Sequence, residues 1–396
     1  MKSLFALFVL LLTGPASAQV VVIGIDGLST AGLLRVHTPH LDGLMETGAS
    51  TLHARTVLPT VSSPNWASML MGAGPEQHGI TSNGWERATA TLQPTTAGTS
   101  GYFPTIFRLL REQRPTAYIA AIYEWGGFVR LFEPEVVDHS LDALSTQHVV
   151  DEAVALFHQQ RPTLTFLHLD LVDLAGHASG WTSAAYDAAV AEADRLVGVL
   201  RQGLTDAGMD ATVIVVSDHG GIGRGHGGET MDEVEVPWII QGPAIKKGTT
   251  IEPPFTVFDT APTIASLLGL TPPRAWTGRA LDTEYRTATS PTTVAPASFA
   301  WHDAAFEVFP NPASGTFTLR YHLPLPASVR LAVYDARGRQ VAVLVDAVRT
   351  AGEHTVRWAG TDTGGQPVAA GTYHCRLSTD TGVHKSLGLV VTRPRP

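Results

Sequence analysis

The chain has 396 residues, with 36 acidic and 27 basic side chains, a formal charge of −9 and 44% apolar residues. That composition excludes a disordered or collagen-like polymer, and the negative balance argues against a protein built to hold a nucleic-acid polymer. The length allows two domains with a substantial core.

Residues 1–18 read as a signal peptide. Lys2 supplies the positive end, Leu4 to Leu12 an unbroken apolar run, and Ala16-Ser17-Ala18 a small-residue cleavage site. The run is too short to span a bilayer and no later stretch reaches the roughly eighteen apolar residues required, so no transmembrane anchor is expected. The protein is expected to be exported. The single cysteine, Cys375, cannot form an intramolecular disulfide, so stability must come from the core or from bound metal.

Residues 19–282 alternate β-branched runs with helical patterns, which predicts an α/β domain: a mostly parallel sheet sandwiched by helices. Three strands stand out, at 20–25, 164–169 and 212–216, each followed within a few residues by carboxylate or imidazole side chains. In such sheets ligands bind beyond the carboxyl ends of the strands, so Asp26, Asp173 with His177, and Asp218 with His219 are expected to converge. Residues 283–304, rich in Thr, Ala, Ser and Pro, form a linker. Beyond it, 305–396 alternates strands and Gly turns (315–321, 329–334, 354–358 and 371–377), predicting a small immunoglobulin-like β-sandwich.

The candidate chemistry lies in Asp26, Ser62, Asp173, His177, Asp218, His219 and His226. Carboxylates and imidazoles without cysteine suit zinc, manganese or iron. Six such ligands plus a hydroxyl exceed one tetrahedral ion and fit two divalent ions roughly 3.5–4 Å apart, an arrangement suited to in-line displacement at phosphorus. Asp173 and His177 would share one face of a helix. Ser62, in Ser62-Ser63-Pro64-Asn65, reads as a helix cap or the residue before it, where backbone N–H groups face an anion and a coordinating metal would activate the hydroxyl. Taken singly, each motif is no more than a capped helix, a chance pair or a turn; their joint placement after strands carries the reading. Gly24-Ile25-Asp26-Gly27 lacks the spacing of a dinucleotide fingerprint.

These segments resemble the alkaline phosphatase superfamily, and within it the type I phosphodiesterase/nucleotide pyrophosphatase branch. The resemblance rests on Gly24 to Gly27, Pro59 to Asn65, Gly74 to Asn83, Asp173 to His177, Ser217 to Gly220 and Gly225-His226-Gly227. It implies Ser62 as nucleophile and Asn83, twenty-one residues later, as a donor to the phosphoryl oxygen. It also implies two zinc-type ions, one held by Asp26, Ser62, Asp218 and His219, the other by Asp173, His177 and His226. The family's usual Thr is Ser62 here, and Ser63 stands where a base-stacking aromatic is common. The implied activity is phosphodiester or pyrophosphate hydrolysis of a small phosphoester through a phosphoseryl intermediate, with the N–H of residue 63 joining Asn83 at the developing charge. Specificity would lie in loops 84–104 and 123–140.

Three alternatives follow. A phosphomonoesterase would need an added cation, for which Arg130 is the candidate. The sulfatase signature continues with Arg where Trp66 stands. A non-enzymatic surface scaffold conflicts with the complete ligand set. Residues 305–396 resemble type IX secretion sorting domains, through Phe309 to Pro312, Tyr334 to Gly338, Trp358 to Asp362, Gly371 to Tyr373 and the basic end at Arg393 and Arg395. That resemblance implies an outer-membrane secretion machinery as partner, with the protein periplasmic in transit and then secreted or attached at the cell surface.

Overall fold

The computed structural model describes residues 18–281 except 99, residue 285, and residues 306–392 with gaps at 312, 324–326, 336–338, 351 and 380–383. The expected signal peptide, apart from its last residue, the linker, apart from Tyr285, and the basic C-terminal end lie outside the described residues. The chain divides into two compact units, 1–292 and 293–396.

The first unit is organised by one eight-stranded sheet. In chain order its strands are β1 (Val20–Ile25), β2 (Ala49–Arg55), β3 (Ile119–Tyr123), β4 (His139–Asp142), β5 (Leu164–Leu169), β6 (Thr212–Val216), β7 (Glu235–Gln241) and β8 (Thr249–Thr250). Their order across the sheet is β4-β3-β5-β1-β6-β7-β2-β8. Every neighbouring pair is parallel except β6 with β7 and β7 with β2. The mostly parallel α/β expectation therefore holds, with β7 as the reversed strand.

All six residues of β1 are buried, which is why it reads as an unbroken apolar run rather than an alternation. Its side chains feed two cores on opposite faces, Val20 and Val22 on one and Val21, Ile23 and Ile25 on the other. The helix Ser62–Met71 packs on the first face with all ten residues buried. It stops at Gly72, whose left-handed backbone (φ 58°) lets its N–H close onto the Ser68 carbonyl. Trp66 from this helix lies so close to β1 that a side chain at Gly24 would meet the indole at 2.5 Å. Glycine at that position therefore admits the indole.

The second unit holds β9 (Phe306–Phe309), β10 (Phe317–Leu323), β11 (Ala327–Asp335), β12 (Gln340–Arg349), β13 (Gly352–Trp358), β14 (Gly371–Thr379) and β15 (His384–Val391). They form two sheets, β13-β10-β9 and β12-β11-β14-β15, all of antiparallel pairs. The expected small β-sandwich is present, with Phe317, Leu319, Leu331, Val333, Trp358, Cys375 and Leu377 in its core. Cys375 is fully buried, and burial pushes its thiol up to about 12, so it is chemically quiet. Strands β9, β12 and β15 escape the sequence pattern; half of the ten residues of β12 are exposed, and it breaks register twice against β11.

Candidate metal centre

Strands β5, β1 and β6 are adjacent and in register, with Ile25 opposite Leu169 and Gly24 opposite Val216. The residues that leave their carboxyl ends must therefore emerge side by side. Asp26 follows β1 directly, Asp218 lies two residues past β6, and Asp173 sits in the first turn of the helix Leu171–Ser179 after β5, with His177 one turn on. Gly27 completes the junction. Its backbone has φ 72°, and a side chain there would strike the Asp173 main chain at 2.8 Å.

Asp26 and Asp218 are each held by one oxygen and bare at the other. The Oδ2 atom of Asp26 accepts from Trp66 Nε1 (3.1 Å) and His168 Nε2 (2.9 Å). Asp218 Oδ1 accepts from the N–H groups of Gly27 (3.2 Å) and His219 (3.0 Å). Asp26 Oδ1, Asp218 Oδ2 and Asp173 Oδ1 are all buried without a hydrogen-bond partner. Three orphaned carboxylate oxygens in one place are costly unless a cation completes them.

The imidazoles are arranged the same way. His219 Nδ1 donates to the Gly220 carbonyl (2.9 Å), His226 Nδ1 to that of Thr60 (2.8 Å) and His177 Nδ1 to that of Arg224 (3.0 Å). A carbonyl only accepts, so every proton sits on Nδ1 and every Nε2 points into the site, as a metal-binding histidine requires. His219 Nε2 lies 3.4 Å from Asp26 Oδ1 and 3.2 Å from Asp218 Oδ2, and Ser62 Oγ is 3.5 Å from the same nitrogen. His177 Nε2 lies 3.4 Å from Asp173 and 3.1 Å from His226 Nε2, which is 3.7 Å from Asp173. Asp26, Asp218 and His219 form one ligand-capable group and Asp173, His219 and His226 another, with His177 beside the second, and the rings of His219 and His226 stack at 3.7 Å.

The electrostatics agree. Burial, with repulsion from Asp26 and Asp170, lifts the Asp173 carboxyl to about 9, and burial with repulsion from Asp26 and Asp173 raises Asp218 well above the carboxylate range. Burial opposes ionisation of Asp26 too, but the His168 hydrogen bond and the fields of His219 and His168 outweigh it and bring Asp26 down to about 2. Burial lowers His219 to about 4 and also lowers His226, which keeps both rings neutral and their lone pairs available. This donor set fits two divalent cations.

Two expectations change in detail. Ser62 is the first helical residue, with Val61 as the cap. The Ser63 N–H donates to Asn83 Oδ1 (2.8 Å), so the two expected phosphoryl-oxygen donors are partners of each other, and among the described residues the Asn83 amide hydrogens have no partner. Arg130, the candidate cation for a monoester, is ion-paired to Glu86 at 2.7 Å.

Trp66 and His168 were missed by the sequence reading, although they orient Asp26. His168 carried a signal, being the lone strongly polar side chain in the apolar run of β5, where a buried imidazole has to find a partner. Trp66 carried none, since an indole in a buried helix needs no functional explanation. Glu233 was missed as well; its carboxylate accepts from the Gly228 and Thr230 N–H groups and so braces the loop that bears His226, while Glu229 is exposed.

A family model described as type I phosphodiesterase/nucleotide pyrophosphatase matches residues 20–224, and one described as FlgD Ig-like domain matches 311–382. Ectonucleotide pyrophosphatase/phosphodiesterase family member 1 of Mus musculus is 26% identical over 221 residues, which are 46% of this chain and 21% of that protein, so the chain spans about a fifth of that relative's length. The structure of murine ectonucleotide pyrophosphatase/phosphodiesterase 5, an inactive form in complex with AMP, superposes with a TM-score of 0.57 at 16% identity, covering 68% of this chain and 100% of that one. A 2-O GAG sulfatase superposes with a TM-score of 0.58 at 15% identity, covering 87% of this chain and 85% of that one. At these identities the two structures speak for the fold alone.

Proposed function

The chain belongs to the type I phosphodiesterase/nucleotide pyrophosphatase family, and on that premise we propose that it is a secreted, two-metal phosphodiesterase or pyrophosphatase that works through a phosphoseryl intermediate on Ser62. The observation that carries this reading is the gathering of three orphaned carboxylate oxygens and three inward-facing imidazole nitrogens, one of which, His219 Nε2, lies 3.5 Å from the Ser62 hydroxyl. Asp26, Ser62, Asp218 and His219 would hold one ion and Asp173, His177 and His226 the other. When bound, the two ions, for which the donors suit zinc, supply positive charge to the hydroxyl, the phosphoryl group and the leaving oxygen.

The protein's own contribution is position. The helix that begins at Ser62 fixes its Oγ, buried, at the base of the site. The Ser62 hydroxyl gives its proton to water and Oγ forms a bond to phosphorus as the bond to one alcohol oxygen breaks, and the alcohol leaves with a proton from water. A water then attacks phosphorus, the bond to Oγ breaks, and Ser62 is regenerated with release of a phosphomonoester. Asn83 contributes its amide hydrogens to the non-bridging oxygen on which charge develops. A diester carries less charge than a monoester and needs no extra cation, which agrees with Arg130 being neutralised by Glu86.

The test is the ratio of kcat/KM for an aryl phosphodiester to that for the matching monoester, on metal-loaded protein. Diester preference is expected; monoester preference makes the protein a phosphatase, and turnover of neither reopens the sulfatase and scaffold alternatives. Ser62→Ala should abolish turnover with metal content unchanged, and retained turnover sinks the assignment. For the C-terminal unit we propose the role of a type IX export address, tested by whether its deletion leaves the enzyme in the periplasm.

A further inference from the structure

We infer that Arg130 is a positioning residue that holds Asn83 over the reacting phosphoryl group, rather than a subsite for substrate charge; the inference rests on the phosphoester-hydrolase reading above. Asn83 is exposed, on the segment between the short helix Pro75–His78 and the 3-10 turn Arg87–Thr89. Left to itself, such a segment would hold no side chain to the tolerance that catalysis needs. Here it is tied down twice. The Arg130 guanidinium donates to the Asn83 carbonyl from Nη2 (2.9 Å), and from Nη1 to the Trp85 carbonyl (3.3 Å) and to Glu86 Oε1 (2.7 Å). On the other side, Asn83 Oδ1 takes the Ser63 N–H at 2.8 Å, next to the nucleophile. With the carbonyl and the amide oxygen both fixed, the direction of Nδ2 is set.

The anchor at the far end is rigid. Arg130 sits in the 3-10 turn Phe128–Leu131, whose Phe128 and Leu131 are fully buried. Phe128 packs against Trp66 (6.1 Å between centroids), Phe166 (5.3 Å) and His168 (5.6 Å). Trp66 and His168 are the side chains that hold the Asp26 carboxylate, so one aromatic cluster sets both that buried carboxylate and, through Arg130, the oxyanion donor. The planar guanidinium fork can span two carbonyls and a carboxylate at once, and a lysine ammonium cannot. Because Glu86 already balances its charge, Arg130 has little left to offer a monoester's additional oxygen.

The experiment is a double-mutant cycle on the metal-loaded protein, read with an aryl phosphodiester and its monoester. Arg130→Ala should lower kcat roughly tenfold to a hundredfold on both substrates, with KM and the diester-to-monoester ratio little changed. In the Asn83→Ala background the same change should cost less than about twofold, because the group it positions is gone. Arg130→Lys, which keeps the charge and guards against a misfolded alanine variant, should fall between wild type and Ala. An equal loss from Arg130→Ala in both backgrounds overturns the inference, as does a loss confined to the monoester with Lys restoring it. Wild-type kcat in Asn83→Ala also overturns it while leaving the Ser62 chemistry standing; turnover by Ser62→Ala is the separate result that removes the underlying reading.

Discussion

The two halves of the centre are built from the same kinds of side chain but held in different ways. The half formed by Asp26, Asp218 and His219 hangs from the ends of two adjacent parallel strands and is fully buried. Trp66, His168 and the Gly27 N–H hold its carboxylates. The half formed by Asp173, His177 and His226 comes from a short helix and a glycine-rich loop, braced by backbone carbonyls, and the His177 side chain is 47% exposed. Stiff, dry surroundings favour a site that is preorganised and slow to exchange, and exposed loop ligands favour one that opens easily. The buried half is therefore expected to hold its ion more tightly.

The largest effect should come from substitutions that set the two halves against each other. Asp218→Asn removes charge from the buried half and should lower kcat/KM by about a thousandfold or more, with no recovery in excess metal. His177→Ala removes a ligand from the exposed half, and its loss should be largely restored by excess zinc. Metal analysis should find about one ion lost in each, and a chelator should strip wild-type protein in two phases, the first missing from His177→Ala. Rescue of Asp218→Asn by metal would break the comparison.

A smaller effect should come from the groups that orient Asp26. Without the His168 hydrogen bond that carboxylate can rotate, so His168→Phe should weaken metal binding about tenfold to a hundredfold. His168→Gln, which can present an N–H to the same oxygen, should recover part of it. Titration calorimetry of the metal-free protein measures this without recourse to turnover, and identical affinities for Phe and Gln would leave His168 as packing only.

The same contrast explains what could be read from the amino-acid sequence. The carboxylates at strand ends were legible because Val20–Ile25 and Thr212–Val216 are buried, mostly β-branched runs that end one and two residues before Asp26 and Asp218. Asp173 and His177 were legible through helical spacing. What escaped was long-range and lateral: His168 meets Asp26 because β5 pairs with β1, Trp66 because the helix Ser62–Met71 packs against β1, and the Arg130 tether to Asn83 joins segments 47 residues apart. No local periodicity encodes those contacts. The reversal of β7 was hidden for a similar reason, since Val236 to Ile240 are buried and apolar whichever way the strand runs.

The smallest effect concerns the scaffold under the buried half. His78 lies beneath the helix that carries Ser62, its ring bonded to Ser68 Oγ (3.0 Å) and its Nδ1 accepting from the Ile80 N–H (3.1 Å). Burial lowers its pKa from 6.5 to about 3. An unfolded chain would protonate this ring near 6.5, so the stability it contributes is complete above that pH and is lost as the pH falls from 6.5 toward 3, at a limiting slope of about 1.4 kcal/mol per unit. His78→Gln cannot take up that proton. In metal-free protein, which removes the ligand equilibria from the comparison, the Tm of wild type should fall relative to the Gln variant by roughly 3–5 °C per pH unit between 6 and 4. Parallel profiles would mean that the ring is protonated at little cost in the folded state, and that the packing under Ser62 is looser than its burial implies.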